Sequence, residues 1–277
     1  MTTKAEREMI EKTRLEEMKS FDSEKKAEFE YLIGVDEVGR GPLAGPVVAC
    51  AVIMPKYWKI TGINDSKKLT ENRRNELALK IKDNSIAVGL GFVNSNKIDR
   101  FNIRNATKMA MITAVRVCIG NLEKQEGKPN EIGDVSTAYV ENIKRENGSG
   151  MTLDMDSNRD LSSKRKSLKI LIDGDMEIPL EQLEHEFEED GFCISQENVI
   201  KGDSKSLSIG AASIVAKVAR DEFMKEYAKR APEYGFEKHK GYGTKAHYEA
   251  IASYGLSPIH RKTFLKKVLD KMEEELI

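Results

Sequence analysis

Short apolar runs alternate with amphipathic stretches along most of the chain, and this alternation predicts an α/β fold. Strands are predicted for five runs rich in Val, Ile and Leu: 31–35, 47–53, 86–93, 168–173 and 192–200. Helical spacing predicts helices within 64–84, 102–119, 180–189, 201–231, 245–254 and 261–276. Because strands and helices interleave first and helices alone follow, we expect a central mixed β-sheet flanked by helices, with a helical C-terminal part.

Two segments depart from this pattern and suggest how the chain is divided. Residues 1–30 carry mixed charges with few apolar positions, which predicts a frayed, solvated helix or else an arm that lies on the body or on the substrate. Residues 121–168 are rich in Gly, Ser, Asn and Asp, which predicts a flexible insertion after a helix that ends at Gly120. We therefore expect the arm, a core over 31–205 and a helical part over 206–277.

Composition places the chain among globular proteins. Of its 277 residues, 39% are hydrophobic and 33% are charged. A chain of this length can bury a hydrophobic core that is stable without disulfides. No apolar run approaches the roughly 18 residues of a membrane span, and the N-terminus has no apolar signal segment. The three cysteines, Cys50, Cys118 and Cys193, are far apart and predict reduced, partly buried thiols. These features predict a cytoplasmic protein with no membrane contact.

The net charge of −1 conceals an uneven distribution of charges along the chain. Ten acids and no Lys or Arg lie between Asp173 and Glu197. Seven Lys or Arg against one acid lie between Lys238 and Lys267, together with three of the four histidines. A net charge near zero that results from one acidic and one basic segment is compatible with a site that binds a polyanion beside a site rich in carboxylates.

Carboxylates follow several of the predicted strands. Asp36 and Glu37 end the first apolar run, Asp173 ends the fourth, and Asp203 follows the fifth in a Gly/Ser-rich loop. Acids without a Cys/His cluster favour hard cations such as Mg²⁺ or Mn²⁺, and two such ions about 4 Å apart can drive phosphodiester cleavage. The alternatives are a solvated strand end for Asp36 and Glu37, and a turn or helix cap for Asp203.

Two further segments suit a nucleic-acid strand. Gly39 and Gly41 permit close backbone approach to a ligand, and Arg40 between them can meet a phosphate. Basic and aromatic residues interleave over 239–261, with Lys240, Lys245, Arg261 and Lys262 as candidate phosphate contacts. Tyr242, between two glycines, is the predicted substrate contact, whereas Tyr248 and Tyr254 are predicted to pack in the core. The histidine spacing predicts no zinc site.

Taken together, these segments resemble the bacterial ribonuclease HII family. The resemblance lies in GVDEVGRGPLAGPVV (34–48), DSKKL (65–69), IDG (172–174), KGD (201–203), IGAASIVAKVARD (209–221), HKGYGT (239–244) and PIHR (258–261). It implies an RNase H-like fold and an endoribonuclease that hydrolyses the RNA strand of RNA/DNA hybrids. It also implies cleavage 5′ of ribonucleotides embedded in duplex DNA, leaving 5′-phosphate and 3′-hydroxyl ends.

The resemblance assigns roles to individual positions. It implies that Asp36, Glu37, Asp173 and Asp203 are catalytic carboxylates that hold two Mg²⁺ or Mn²⁺ ions. It implies that Gly39, Arg40 and Gly41 bind the substrate and sense the ribose 2′-hydroxyl. It also implies that Tyr242 stacks on the deoxyribose side of the junction and that Lys67 contacts the substrate. A monomer that acts on nucleic acid is expected.

Two alternatives stay open at this point. Another metal-dependent nuclease of the RNase H-like superfamily would need neither the Gly39–Gly41 loop nor Tyr242. A non-catalytic nucleic-acid binding module would tolerate the loss of an acid.

Overall fold

The computed structural model describes residues 3–57, 60–64, 66–127, 166–187, 191–266 and 270. Within this part of the chain, five strands form one mixed sheet in the order β3-β2-β1-β4-β5. Strand β1 pairs antiparallel with β2 and parallel with β4, so the predicted mixed sheet is confirmed. The strands are β1 (Tyr31–Val38), β2 (Val47–Ile53), β3 (Ala87–Val93), β4 (Lys166–Asp173) and β5 (Phe192–Val199).

Helices cover both faces of the sheet. Those in the described residues are α1 (Lys4–Lys26), α2 (Glu71–Asn84), α3 (Ser95–Gly127), α4 (Glu181–Phe187), α5 (Gly202–Lys205), α6 (Leu207–Ala228), α7 (Phe236–His239) and α8 (Lys245–Tyr254). Helix α3 packs on one face and helices α2 and α6 on the other. Because both faces are covered, every residue of β2 is buried, as its unbroken apolar sequence predicted.

Several element boundaries differ from the sequence prediction, among them the start of helix α3, which begins at Ser95 and not at 102. Strand β1 continues through Asp36 and Glu37, because both pair with β2 opposite Cys50 and Ala49. Helix α3 passes through Gly120 and runs to Gly127, so the predicted end at Gly120 is wrong. The insertion predicted over 121–168 is therefore helical at its start and joins β4 at its end, and its remainder lies outside the described residues.

The N-terminal arm is docked on the body of the protein. Helix α1 begins with a capping box formed by Thr3 and Glu6. Leu15 and Met18 are buried in the same apolar cluster as strand β2 and helix α6. The Asp22 carboxylate accepts hydrogen bonds of 2.8 Å from both the backbone N–H and the hydroxyl of Ser208, at the start of α6. The alternative of a frayed helix is therefore wrong.

The C-terminal part begins with helix α6, which covers one face of the sheet. Helix α8 has the bounds that its sequence pattern predicted, and residues 262–266 are helical, while most of the predicted 261–276 helix lies outside the described residues. Helix α6 packs directly on β1 and β2, and the division at 205/206 stays a prediction.

Cys50 and Cys118 are buried, whereas Cys193 on edge strand β5 is exposed, contrary to prediction. No helix of the described residues has the length and apolar character to cross a membrane.

Candidate active site

Asp36 lies near the centre of the sheet, on a strand that has a neighbour on each side. Its side chain is only 6% exposed and accepts a hydrogen bond from the Ser213 hydroxyl of α6. Its Oδ1 also accepts the Glu37 N–H at 2.7 Å. Burial, and then the negative charges of Glu37 and Asp173, raise the pKa of Asp36 well above its usual value. An acid in this position repels its own neighbours and attracts a cation.

Glu37 is the next residue of β1 and is less deeply buried than Asp36. Its Oε1 lies 3.3 Å from Arg40 Nη1, so the loop that follows β1 supplies one positive charge. Burial raises the pKa of Glu37, the Arg40 guanidinium opposes that shift, and the Asp173 charge adds to it. Asp36, Glu37 and Asp173 therefore influence one another electrostatically, as the sequence reasoning expected of a joint site.

Asp173 is held at the end of β4 by the start of helix α5. Its Oδ1 accepts the Gly202 N–H at 2.6 Å. A Cβ at position 202 would lie 2.6 Å from Ile209 Cδ1 and 3.1 Å from Asp173 Oδ1, so a side chain there would crowd the carboxylate and displace the end of Ile209. Asp203, predicted in a loop, lies in the short helix α5 and is half-buried, one residue from the amide that binds Asp173.

The acids suit a hard cation whose coordination is completed by other ligands. No described group of three His, Cys, Asp or Glu side chains converges as a preformed metal cage. In the described structure Asp36 has no cationic partner, and Glu37 has only Arg40. A buried set of carboxylates with so little countercharge fits a divalent ion with oxygen ligands, because water and substrate phosphates commonly complete such a shell.

The loop after β1 meets the segment that carries Tyr242. Gly39 is buried with a φ of 91°, whereas Arg40 and Gly41 are exposed. A Cβ at Gly41 would lie 4.0 Å from Tyr242 Cε1, so the loop and the ring face each other across a narrow gap. Tyr242 is 44% exposed, and its carbonyl oxygen lies 2.9 Å from His247 Nδ1. The structure thus places the loop that carries Gly41 close to Tyr242, as a shared substrate-binding role would require.

Lys67 lies in the segment between strand β2 and helix α2. It is exposed in a turn directly after Ser66, whose hydroxyl is 3.1 Å from that of Ser213. Since Ser213 donates to Asp36, the two hydroxyls link the residue next to Lys67 to one of the acids, while Lys67 itself is exposed. Asp65, in the same motif, lies outside the described residues.

Sequence reasoning also missed or misplaced several residues. Tyr248 and Tyr254 were predicted to be core residues, but they are 39% and 62% exposed. Arg261 was grouped with surface cations, yet it is fully buried. Ser66 and Ser213 were not singled out at all. A small polar residue inside the apolar run of helix α6 was the signal that could have identified Ser213.

The mixed five-stranded sheet with helices on both faces is a fold of the ribonuclease H2 type. The solved structure of ribonuclease H2 from Pyrococcus horikoshii OT3 shares this fold, with a TM-score of 0.51. That structure is 22% identical to this chain, and the match covers 88% of this chain and 99% of the other. At this level of identity the likeness concerns the fold alone.

Similarity in sequence defines the family. A model of the Ribonuclease HII family matches residues 33–132 and 134–267. Ribonuclease HII of Clostridioides difficile is 43% identical over 260 residues, which are 94% of this chain and 80% of that relative. Ribonuclease HII of Acetivibrio thermocellus is 41% identical over 241 residues, which are 87% of this chain and 72% of that relative. The chain therefore belongs to the ribonuclease HII family and is an endoribonuclease.

Proposed function

We propose that this endoribonuclease hydrolyses the RNA strand of RNA/DNA hybrids and cuts 5′ of single ribonucleotides embedded in duplex DNA. The observation that carries the proposal is the adjacency of two features. The acids Asp36, Glu37 and Asp173 influence one another electrostatically, and Glu37 contacts Arg40 of a loop whose next residue faces Tyr242. Hydrolysis at a phosphate and recognition of the adjoining sugar can therefore take place at neighbouring positions.

The metal-binding role is assigned to four acids. Asp36, Glu37, Asp173 and Asp203 would hold two divalent ions, Mg²⁺ or Mn²⁺, since carboxylate oxygens are the ligands these ions prefer. When bound, such ions activate a water molecule for attack on the scissile phosphate and stabilise the departing 3′-oxygen. The expected products are 5′-phosphate and 3′-hydroxyl ends. Because all four acids come from one chain, we expect the protein to act as a monomer.

Neighbouring groups of the chain hold the acids in place. The Ser213 hydroxyl and the Glu37 N–H both donate to Asp36, which fixes the plane of its carboxylate. The Gly202 N–H occupies Oδ1 of Asp173 and leaves Oδ2 for another ligand. Such supporting hydrogen bonds orient ligands before a metal arrives and reduce the reorganisation that binding requires.

Recognition of the substrate is assigned to the loop and the ring. The 2′-hydroxyl is the group that separates RNA from DNA, and the backbone of Gly39, Arg40 and Gly41 is the proposed reader of that group. The exposed face of Tyr242 would stack on the deoxyribose on the other side of the junction. Lys67 and the Arg40 side chain, both exposed, would contact phosphates.

Three duplexes of identical sequence test this proposal. One is all DNA, one carries a single ribonucleotide and one has a complete RNA strand; each is incubated with Mg²⁺, Mn²⁺ or EDTA. We expect cleavage of the two ribonucleotide-containing duplexes with a divalent ion, and no cleavage in EDTA. Cutting of the all-DNA duplex would indicate another nuclease of this superfamily, and binding without any cleavage would indicate a binding module.

A further inference from the structure

Two arginines are completely buried beneath the loop that follows β1. Arg220 of helix α6 and Arg261 both have no solvent exposure. Neither forms a salt bridge in the described part of the chain, and burial lowers the pKa of Arg220 to about 10 and that of Arg261 to about 9. Burying a guanidinium without an ion-pair partner is unfavourable, so its hydrogen bonds have to compensate for the lost hydration. The groups that accept these bonds indicate which part of the structure the arginine stabilises.

Arg261 binds both ends of the loop through backbone carbonyl groups. Its Nη2 donates to Gly39 O at 2.6 Å and to Gly45 O at 2.8 Å. Its Nη1 donates to Arg40 O at 3.0 Å, and its Nε to Gly45 O at 3.0 Å. The planar guanidinium carries five donors in a fixed fork, which allows one side chain to make four hydrogen bonds to three separate carbonyls.

Arg220 connects the same loop to the segment of Tyr242. Its Nε donates to Pro46 O at 3.0 Å, its Nη2 to Ala44 O at 3.1 Å and its Nη1 to Lys240 O at 3.0 Å. Its guanidinium lies 5.9 Å from the centre of the Tyr242 ring. Arg261 therefore supports the backbone of residues 39–40, and Arg220 supports the segment that carries Tyr242.

The contacts of Arg261 determine which way two amide groups point. In a trans peptide unit the C=O and the N–H point in opposite directions, and no peptide bond of the described chain is cis. Because the carbonyls of Gly39 and Arg40 point inward to Arg261, the N–H groups of Arg40 and Gly41 point outward. Neither amide has a hydrogen-bond acceptor among the described residues. Two adjacent outward N–H groups on exposed residues make a receptor for an oxygen atom.

We propose that Arg261 is a positioning residue for ribonucleotide specificity, because it fixes the loop with the Arg40 and Gly41 amides presented to the ribose 2′-oxygen. This inference rests on the proposed function, which places the ribose at that loop. A glycine-containing loop that was free to move would lose backbone entropy on binding, and the two buried arginines remove that loss in advance. Arg220 has the corresponding task for the Tyr242 side of the gap.

The decisive variant is Arg261→Lys, which keeps the charge and the aliphatic stem but cannot reach three carbonyls. The dissociation constants of a duplex with one ribonucleotide and of the matched all-DNA duplex are measured with Ca²⁺, under conditions in which both duplexes are recovered intact. The wild-type chain is expected to prefer the ribonucleotide duplex. In Arg261→Lys that preference falls by roughly tenfold or more, while affinity for the all-DNA duplex is unchanged.

Ile81→Ala is the matched control, because Ile81 is fully buried in helix α2 and packs in a cluster that does not include Arg261. It destabilises the fold but should keep the wild-type preference, so general destabilisation alone does not reproduce the effect. A folded Arg261→Lys chain with an undiminished preference would overturn the inference. A wild-type chain that shows no preference would instead contradict the proposed function.

A measurement on the wild-type chain covers the case in which Arg261→Lys does not fold. Amide hydrogen exchange at Arg40 and Gly41 is compared for the free protein and for its complexes with the two duplexes in Ca²⁺. Slowed exchange with the ribonucleotide duplex alone supports the inference. Equal protection by both duplexes, or protection by neither, contradicts it.

Discussion

At the scale of single residues, the acid cluster is arranged for binding rather than for stability. The pKa of Asp36 is raised by burial and by two neighbouring negative charges, so in the absence of a cation its charged form opposes folding. A raised carboxyl pKa in the folded state means that this group destabilises the fold increasingly as the pH rises above about 4, the ordinary value for Asp. A divalent ion held by these acids, as proposed above, would remove this repulsion, and the effect would be measurable without any substrate.

Asp36→Asn should therefore abolish cleavage and at the same time raise the metal-free free energy of unfolding at neutral pH, by roughly 1 to 3 kcal/mol. Thermal unfolding with and without Mg²⁺ supplies the second readout. Mg²⁺ should raise the Tm of the wild-type chain and leave that of the variant nearly unchanged. Asp83→Asn, at an exposed position of α2, is the control. If Asp36→Asn kept the full Mg²⁺-induced increase, the metal assignment would be wrong.

Gly39 and Gly41 should respond differently to alanine, although only one residue separates them. At Gly39 the φ of 91° is strained for alanine, and the added Cβ would lie 2.2 Å from Arg220 Nε, so Gly39→Ala should lose about 2 kcal/mol or more of stability. At Gly41 the nearest atom is 4.0 Å away, so the fold should tolerate the methyl group. That methyl narrows the gap to Tyr242, and kcat/KM on a single-ribonucleotide duplex should fall roughly tenfold.

Unfolding curves and steady-state kinetics on both glycine variants check this contrast. Full activity in Gly41→Ala would contradict the proposal that the ribose binds between the loop and Tyr242.

At the scale of secondary-structure elements, helix α1 belongs to the core despite its charged sequence. Met18 is 1% exposed and Met9, on the same helix, is 68% exposed. Met18→Ala should lower the free energy of unfolding by about 2 to 4 kcal/mol, whereas Met9→Ala should change it by less than about 0.5 kcal/mol. Urea denaturation of the two variants makes the comparison, and equal effects would show that the arm is not docked in solution.

The elements were predictable where local pattern and burial agree. Strand β2 and helix α8 have their predicted bounds because every β2 position is buried and because Thr244 caps a short amphipathic segment. The pattern failed at Gly120, since glycine ends a helix only where the backbone turns left-handed, and here the helix continues. It also failed for helix α1, whose few apolar residues are buried by strands and helices distant in sequence.

The same distinction applies to the site. The positions of Asp36, Glu37 and Asp173 on their strands were predictable, because a carboxylate at an apolar strand is unusual locally, and their role stays a prediction. The tasks of Ser213 and Arg261 were not, because each depends on a backbone or side chain far away in the sequence. Arg261, for example, contacts Gly39, which is 222 positions earlier.

At the scale of the whole molecule, a pair of buried histidines links stability to pH. His247 Nε2 and His260 Nε2 are 3.0 Å apart, so a single proton lies between them when both rings are neutral. Burial, and then the neighbouring His247, lower the pKa of His260 to about 4, and burial also lowers the pKa of His247. The unfolded chain therefore takes up protons below about pH 6.5 before the folded chain does.

Stability should consequently decrease as the pH falls from about 6.5 to about 4, by up to about 1.4 kcal/mol per pH unit for each histidine. Buried acids such as Asp36 have raised pKa values and act in the opposite direction, so the test compares variants. The loss of stability between pH 7 and pH 5, measured in EDTA, should be smaller in His260→Gln than in the wild-type chain. His185→Gln, at an exposed position of α4, should not alter that loss. An unchanged loss in His260→Gln would show that the buried pair does not titrate as described.

The central claim is that this chain recognises a ribonucleotide and then hydrolyses the phosphodiester bond on its 5′ side with a water nucleophile. Mapping of the cut in a duplex with one embedded ribonucleotide, in Mg²⁺, tests it most directly. The predicted result is a single cut 5′ of the ribonucleotide, with a 3′-hydroxyl on the upstream piece and a 5′-phosphate on the ribonucleotide. A cut 3′ of the ribonucleotide ending in a 2′,3′-cyclic phosphate would contradict the account, because the 2′-hydroxyl would then be the nucleophile.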